Sequence, residues 1–328
     1  MLSTELQVSF FKKIKEIVPP HVALVDDIAE LLNISNDSAY RRIRGEKPLA
    51  FDEIQILAAH YEISLDQFLR LKTNNFVLSG NLVSLEKFEM GKYLHGIADL
   101  MTSFSDSQKK EMFLLNKDIP IFHNFMFPEL AAFKCYFWSR YNFNYPEYNK
   151  GQFLISDFID LFEDAGKTIA DLYLEVPSTE IWNLNCINTT LMQICYYRDS
   201  KVIKSGEDVE TLFNCLVKLV NHVEQQAEYG AKFPYQKPDA AGKSKFRVFV
   251  NEFIVGDNTI LMENDNQRMV SLNHNNINYA YSTDTLLTDY SWKIMDILIK
   301  KSTLISETGE KDRQIFFDTL RQRIEERR

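Results

Sequence analysis

The spacing of apolar residues changes along this chain of 328 residues. Between residues 82 and 229, apolar side chains recur every three or four residues, which is the period of one helix face. The segment from Leu82 to Met101 predicts an amphipathic helix of about 20 residues. The same spacing predicts further helices near residues 107–115, 126–140, 151–165, 167–175, 179–198 and 207–229.

After Pro234 the period falls towards two, which is typical of a half-buried strand. Short β-branched and aromatic segments alternate there with turn-forming residues, at the spacing of hairpins. We predict a small antiparallel β-meander near residues 245–282 and two closing helices at about 285–302 and 309–326. The predicted strands are Phe246–Val255, Thr259–Glu263, Arg268–Leu272 and Asn278–Tyr281.

The region from residue 24 to residue 68 carries the signals of short helices joined by tight turns. Ala29 is a small residue in the first of these helices, and a tight connection follows at Asn33-Ile34. A second helix is predicted to begin at Ser35, a favoured N-cap, and to end at Gly45, because glycine readily adopts a left-handed conformation. Two helices in this arrangement predict a helix-turn-helix, whose second helix enters the major groove of DNA.

This stretch resembles the lambda-repressor-like (XRE-type) helix-turn-helix DNA-binding family. The resemblance continues through Arg44–Pro48, a helix near Phe51–His60 and the segment Ile63–Phe68, and it covers residues 1–72 only. It implies a five-helix DNA-binding domain. The family usually has a bulky residue followed by glutamate where this chain has Arg42-Ile43, so we expect Ile43 to anchor the second helix.

The predicted fold class is mainly α. A five-helix lambda-repressor-like domain at residues 1–72 precedes a larger helical domain at residues 76–328 that contains the small antiparallel β-meander. The polar segment Lys72-Thr73-Asn74-Asn75 marks the predicted boundary.

The helical period divides the second helix of the motif into an inner and an outer side. At about 100° per residue, Ala39 and Ile43 face inwards, Arg41 points away, and Arg42 lies on a shoulder. Arginine can bind guanine through two hydrogen bonds, and short polar side chains suit phosphates. The alternative is a solvated charged face on an ordinary helix. The predicted DNA-binding residues are Ser35, Asn36, Asp37, Ser38, Tyr40, Arg41, Arg44 and Lys47.

The charge of the chain limits how it could bind nucleic acid. Its net charge is −9, and residues 1–72 hold 9 Lys/Arg against 11 Asp/Glu. Because non-specific affinity comes largely from phosphate neutralisation, we expect modest non-specific binding. No apolar run approaches 18 residues and the N-terminus lacks a signal peptide, so we expect a cytoplasmic protein without a membrane partner. The four scattered cysteines are expected to be buried thiols.

No group of residues predicts catalysis, a metal site or a cofactor. The histidines lack ligand spacing, and the usual hydrolase and metalloprotease motifs do not occur. An aromatic stretch at residues 119–138 could line a ligand pocket, although such a stretch is more often core. The candidate ligand-binding residues are His123, Asn124, Trp138 and Arg140.

These features predict a one-component transcriptional regulator that binds double-stranded DNA as a homodimer and senses an effector through its C-terminal domain. An alternative is a DNA-tethered scaffold whose C-terminal domain binds a protein instead of a small molecule. An enzyme is not expected, because no catalytic cluster is present. The dimer contact is expected beyond Asn75, at the Leu82–Met101 helix or at the stripe formed by Phe316, Leu320 and Ile324.

Overall fold

Two units make up the chain, residues 1–77 and residues 78–328. The computed structural model describes residues 2–19, 21–69, 76–80, 83, 89–142, 151–162, 165–240, 244–253, 256–265, 267–275 and 277–328. The segment Lys72–Asn75 lies outside the described residues. So do Leu82, Leu85 and Phe88 of the predicted Leu82–Met101 helix.

The described residues of the first unit form five helices: α1 (Leu2–Ile17), α2 (Leu24–Leu31), α3 (Asn36–Ile43), α4 (Phe51–His60) and α5 (Leu65–Leu69). Apolar side chains at helical spacing point from each of the first four helices into a shared core, which removes them from water. That core is built around Phe10, Phe11, Ile14, Ile28, Ala29, Ala39, Leu57, Ala58 and Tyr61.

Three helices of the first unit end on a residue with a left-handed backbone. Asn33 (φ 51°) follows α2, Gly45 (φ 74°) follows α3, and Glu62 (φ 52°) follows α4. After α3, Gly45 N donates to Arg42 O at 2.9 Å and Glu46 N donates to Arg41 O at 2.8 Å. This is a Schellman motif, which satisfies the carbonyls that the helix end leaves open.

The second unit contains helices and strands in alternation. In chain order they are α6 (Met90–Ser105), β1 (Lys110–Leu115), α7 (Ile121–Asn124), α8 (Pro128–Tyr141), α9 (Ala165–Glu175), β2 (Ser178–Trp182), α10 (Asn188–Asp199), α11 (Gly206–Tyr229), β3 (Phe246–Val250), β4 (Thr259–Asn264), β5 (Gln267–Asn275), β6 (Asn278–Ser282), α12 (Thr285–Lys300), β7 (Thr303–Leu304) and α13 (Glu310–Glu325). Short 3₁₀ turns occur at Ile155–Asp157, Ile159–Phe162 and Pro238–Ala240.

The predicted fold class, mainly α with a small antiparallel meander, is wrong. The described strands form one seven-stranded mixed sheet in the order β6-β5-β4-β1-β2-β3-β7. The pairs β1–β2 and β2–β3 are parallel, and long helical connections join them. The meander is present only as β4, β5 and β6, which pair in antiparallel fashion beside β1. β3 leaves that meander and pairs with β2 and β7 instead.

Two of the predicted helices contain the central strands of this sheet. Residues 110–115 form β1 and residues 178–182 form β2, so the helices predicted at 107–115 and 179–198 are wrong there. Both segments are short and apolar, and such runs fit a buried strand as well as a helix. The pairing that decides between the two joins residues far apart in the sequence.

The sheet has two unequally covered faces. Met112, Leu114, Val248 and Met262 point into a large core shared with the helices that connect the strands. On the opposite face, Ile181, Phe249, Leu261 and Val270 pack against Met295 and Leu298 of α12. Within the described residues, α12 is the helix that covers this second face.

Both segments expected to form the dimer contact are used inside the fold. Phe316, Leu320 and Ile324 of α13 are buried, and α13 packs along α11. Leu94 and Met101 of α6 are likewise buried, where α6 packs against α9. The stripe of α13 therefore fills the core of one copy, and the expectation that it forms the dimer contact is wrong. The expectation for the Leu82–Met101 helix falls partly outside the described residues.

Candidate nucleic-acid interface and candidate ligand site

Helix α3 presents the predicted DNA-binding residues on one side. Ser35 caps the helix and accepts a hydrogen bond from Ser38 N at 3.3 Å, which fixes where the helix begins. Ala39 is fully buried against the core and sets the rotation of the helix. Seven of the eight predicted residues are exposed and Ser38 is half-buried: Ser35, Asn36, Asp37, Tyr40, Arg41, Arg44 and Lys47 are the exposed ones.

Contacts among these residues order the outer side of the helix. The Arg44 guanidinium lies 5.6 Å from the Tyr40 ring centroid and donates to the Tyr40 hydroxyl at 3.3 Å. Glu46 lies within 3.5 Å of Arg44 Nε and 4.0 Å of Arg41 Nε. Asn36 donates to Asp26 of α2 at 2.7 Å. The arginines are thus held side by side at the surface, with Arg41 facing outward.

Arg42, which the helical period places on a shoulder of α3, is buried. It donates to both carboxylate oxygens of Glu53 on α4, at 2.9 Å from Nε and 2.6 Å from Nη2. The hydrogen bonds from Arg42 hold the pKa of Glu53 below its ordinary value, although burial opposes this. Ile43 is only half-buried. The buried residues of α3 are Ala39 and Arg42, and Ile43 packs partly buried against the same core. The predicted inward position of Ile43 is therefore confirmed, although it is not the most buried residue of the helix.

Gln7 of α1 fixes the segment that follows α3. Its side-chain amide donates to Arg42 O at 2.6 Å and to Lys47 O at 2.8 Å. Its carbonyl oxygen accepts from Leu49 N at 3.0 Å. One side chain thereby satisfies three backbone groups across the turn after α3. A glutamine in a polar position near the start of the chain gives no sequence signal for this role.

The four candidate ligand residues of the second unit are not brought together. His123 and Asn124 lie on α7 and are fully buried. Arg140, near the end of α8, donates to Tyr136 Oη at 2.9 Å and to Gly151 O at 2.8 Å. Trp138 is also buried on α8. Because α8 spans about 20 Å at 1.5 Å per residue, Arg140 lies at the far end of that helix from His123.

A buried carboxylate is the main partner of His123. Glu180 on β2 is fully buried, and it accepts from Trp182 Nε1 at 2.7 Å and from Ser178 Oγ at 3.3 Å. His123 Nε2 lies 3.2 Å from Glu180 Oε2, and the Tyr173 hydroxyl donates to Glu180 Oε1. Burial opposes ionisation of Glu180, but the attraction of His123 and these hydrogen bonds lower its pKa to about 2.

Lys232 supplies a buried positive charge near this carboxylate. Its ammonium group donates to Tyr173 O at 3.1 Å and Val176 O at 2.7 Å, and it lies 3.3 Å from the Tyr173 ring centroid. Burial lowers the pKa of Lys232 to about 7, and Glu180 opposes that change. The charges of this cluster therefore compensate one another inside the core, where Glu180, His123 and Lys232 are all buried.

A second buried histidine adjoins the cluster. His222 Nε2 lies 3.1 Å from Gln226 Nε2, whose amide also donates to Phe233 O at 2.8 Å. Burial, together with the charge of His123, lowers the pKa of His222 to about 4. The Nδ1 atoms of His123 and His222 have no hydrogen-bond partner among the described residues. The sequence patterns pointed to His123 but not to Glu180, Tyr173 or Lys232, although a glutamate inside an apolar segment was a signal.

An asparagine follows each of the three parallel strands. Asn116, Asn183 and Asn251 come directly after β1, β2 and β3, and all three are buried. Asn183 Nδ2 donates to Asn116 O at 3.0 Å, and Asn251 Nδ2 donates to Ser302 Oγ at 2.9 Å. The carboxyl edge of a parallel sheet is the usual place for ligands. Here the side-chain amides of Asn183 and Asn251 are already hydrogen-bonded to neighbouring residues at the strand ends.

A surface cavity of about 280 Å³ lies between α10 and α13. Its lining residues are Asn188, Leu191, Met192, Arg323, Glu326 and Arg327, so none of the predicted ligand residues reaches it. Across the described ranges of the chain, no cluster of three or more His, Cys, Asp or Glu side chains is placed to hold a metal ion.

No protein-family model, curated protein or solved structure matches this chain. In the part of the chain that the structure describes, no helix combines the length and apolarity needed to span a membrane.

Proposed function

We propose that this protein is a sequence-specific DNA-binding transcriptional regulator that acts as a homodimer. The observation that carries the proposal is the outer side of α3, where Tyr40, Arg41 and Arg44 are exposed together. A base-reading helix needs a rigid inner side and an outer side of arginines and short polar groups. Ala39 and Arg42 supply the first, and the eight residues from Ser35 to Lys47 supply the second.

The first unit is not basic overall. Its affinity for DNA must therefore come more from specific side-chain contacts than from general attraction to phosphates. Glu46 beside Arg41 and Arg44 reduces the local positive charge further. Two copies of the unit on one duplex would compensate for the small surface of a single helix in one groove. These charges support a paired, site-specific mode of binding over coating of DNA.

Sensing of a small effector was expected from the four candidate ligand residues, which lie apart in the structure. The proposal is therefore confined to DNA binding and pairing. The scaffold alternative shares the same DNA-reading face and differs in what the second unit binds. It is favoured if a different protein occupies the second unit's exposed apolar surface.

Selection from a random library of DNA duplexes with the full-length protein tests the proposal. We expect enrichment of a two-fold symmetric site whose half-sites lie about one helical turn, or about 34 Å, apart. The matched control is Arg41→Ala/Arg44→Ala, which removes both outward arginines while Ala39 and Arg42 remain in place. Equal enrichment by the wild type and this variant, or no enrichment by the wild type, would overturn the proposal.

A further inference from the structure

Helix α12 is apolar on two sides. Met295 and Leu298 face the sheet and are buried, with Leu287, Trp292 and Ile299 packed beside them. At about 100° per residue, a second apolar stripe lies roughly 140° away from this buried side. A helix that is apolar nearly all round is normally covered on all of its apolar surface.

The outer stripe is exposed in a single copy of the chain. Its four members are Leu286, Tyr290, Ile294 and Ile297, which are 51%, 63%, 36% and 46% exposed. They lie three to four residues apart along one line of the helix. Large apolar side chains grouped in this way mark an interaction surface, whereas single exposed apolar residues need no explanation. We call these four residues the α12 stripe.

We propose that the α12 stripe is the surface through which two copies of this chain pair, with the two α12 helices antiparallel across a two-fold axis near Ile294. The inference rests on the proposed homodimeric function and names where the two copies meet. In a two-fold interface each residue faces its counterpart at the mirrored position along the helix. Ile294 would meet its own copy, and Tyr290 would meet Ile297 of the second copy.

The charges beside the stripe fit this pairing. By the same helical period, one flank of α12 lies about 20–80° beyond the edge of the stripe at Leu286, and it carries Asp289, Lys293, Asp296 and Lys300. Reversing the helix about Ile294 places Asp289 opposite Lys300 and Lys293 opposite Asp296, each pair nearly equally far from the axis. In a parallel two-fold arrangement the charged flanks would lie on opposite sides of the helix pair and would not meet. Only in the antiparallel arrangement does this flank face its own copy, with opposite charges opposed.

Other apolar stripes are poorer candidates for a second copy. The stripe of α13 and the inner side of α6 are buried in one copy. The α12 stripe also lies on the outer side of the helix that, within the described residues, alone covers one face of the sheet. Pairing there would add a helix layer over a thinly covered face, as expected for a unit that is stable as a dimer.

The test measures the mass of the full-length protein in solution by light scattering and analytical ultracentrifugation. We expect a wild-type dimer at micromolar concentration. Ile294→Glu places two carboxylates on the axis and should weaken the dimer about 100-fold or more. The matched control is Ile315→Glu on α13, because Ile315 is 55% exposed and lies outside the stripe. This control should remain a dimer.

Two further pairs of variants keep the result independent of folding. Ile294→Cys should form a disulfide-linked dimer on mild oxidation, because the residue lies beside its own copy, whereas Ile315→Cys should not. Lys293→Asp should weaken the dimer, and Lys293→Asp/Asp296→Lys should restore it. Circular dichroism confirms that each variant is folded.

A monomeric wild type, a dimer unaffected by Ile294→Glu, or equal cross-linking of both cysteine variants would overturn the inference. Capture of a different protein on the stripe by a monomeric chain would also overturn it and would favour the scaffold alternative. Failure of pairing through α12 remains distinct from failure of DNA recognition by α3, because selection of a DNA site is measured separately. A dimer that resists Ile294→Glu and still selects a symmetric site contradicts only the α12 assignment.

Discussion

Arg42 on α3 and Glu53 on α4 form an enclosed ion pair, with Arg42 Nη2 at 2.6 Å from Glu53 Oε1. Glu53 also accepts from Ala50 N at 3.0 Å, so the same carboxylate satisfies the first turn of α4. A charge pair of this kind both fixes the angle between the two helices and orients the outer side of α3. It also makes the first unit sensitive to loss of either partner.

Arg42→Ala should lower the free energy of unfolding of the first unit by about 3 kcal/mol, because it leaves the Glu53 carboxylate enclosed without its partner. Chemical denaturation of the full-length protein, followed by circular dichroism, measures this loss. Arg42→Met/Glu53→Met should recover most of the stability, because it removes both charges and keeps apolar volume. The control Arg41→Ala removes an exposed arginine from the same helix and should change stability by less than about 0.5 kcal/mol. Equal losses from Arg41→Ala and Arg42→Ala would contradict the assigned rotation of α3.

Arg41 should contribute base selectivity. Arg41→Ala should weaken binding to the selected site by about 1–3 kcal/mol and relax preference at one base pair. Arg41→Lys retains the charge but loses the bidentate hydrogen-bond donor, so it should relax the same preference with a smaller loss of overall affinity. Titrations at several salt concentrations separate the two effects. Unchanged sequence preference in both variants would mean that Arg41 does not contact a base.

Gly45 should be required for the end of α3. Its φ of 74° is costly for any residue with a Cβ, and an added Cβ would lie 2.6 Å from Thr4 Cγ2. Gly45→Ala should therefore destabilise the first unit by about 1–2 kcal/mol. Gly96→Ala is the matched control, because Gly96 lies within α6 and an added Cβ would meet no atom within 4 Å. That control should stabilise the protein by about 0.5–1 kcal/mol, and thermal melting of both variants measures the contrast.

Glu180 should be essential for the stability of the second unit. Glu180→Gln removes the negative charge that faces His123 and Lys232, and breaking such a buried set typically costs about 3–5 kcal/mol. Urea unfolding measures the change. Glu111→Gln on β1 serves as the control, since Glu111 lies on the less covered face of the sheet and its side chain is 40% exposed. A loss below about 1 kcal/mol for Glu180→Gln would show that the cluster is weakly coupled.

His222 should make the second unit less stable in mild acid. Its pKa falls from 6.5 to about 4 on folding, mainly through burial. Because the folded state holds the neutral imidazole, the stabilisation is present above pH 6.5 and is lost as the pH falls towards 4. The loss should reach up to about 3 kcal/mol. Glu180, whose pKa falls to about 2, acts in a separate window below pH 4.5.

Urea midpoints at pH 7 and pH 5 test this expectation. His222→Gln should reduce the difference between the two midpoints, whereas His274→Gln changes an exposed histidine and should leave it unchanged. Equal pH dependence in the wild type and His222→Gln would locate the acid sensitivity elsewhere.

Local signals in the sequence predicted local structure well. Ser35 caps α3 and Gly45 ends it, as their residue types indicated, because capping involves atoms only a few residues apart. The turns of β4, β5 and β6 were found for the same reason. The rotation of α3 was only partly found, since the period alone could not show that Glu53 would draw Arg42 inward.

The sequence patterns could not predict which strands pair when the strands lie far apart in the chain. β1 and β2 are short apolar runs, and their strand identity depends on partners far along the chain. Glu180 was passed over because the segment around it was assigned to a helix, so its meeting with His123 on α7 and Lys232 after α11 could not be foreseen. The four candidate ligand residues failed to converge because α8 separates them along its length.

The position of β1 at the centre of the sheet has a consequence for biosynthesis. β1 ends at Leu115, but its second neighbour, β4, begins at Thr259, almost 150 residues later in the chain. At about 5–20 residues per second, a ribosome needs roughly 7–30 s to supply that neighbour. During this interval the strand's far edge remains open to other nascent chains, whereas the first unit can complete its local helices early. Slower elongation should therefore favour aggregation of the second unit while leaving the first unit intact.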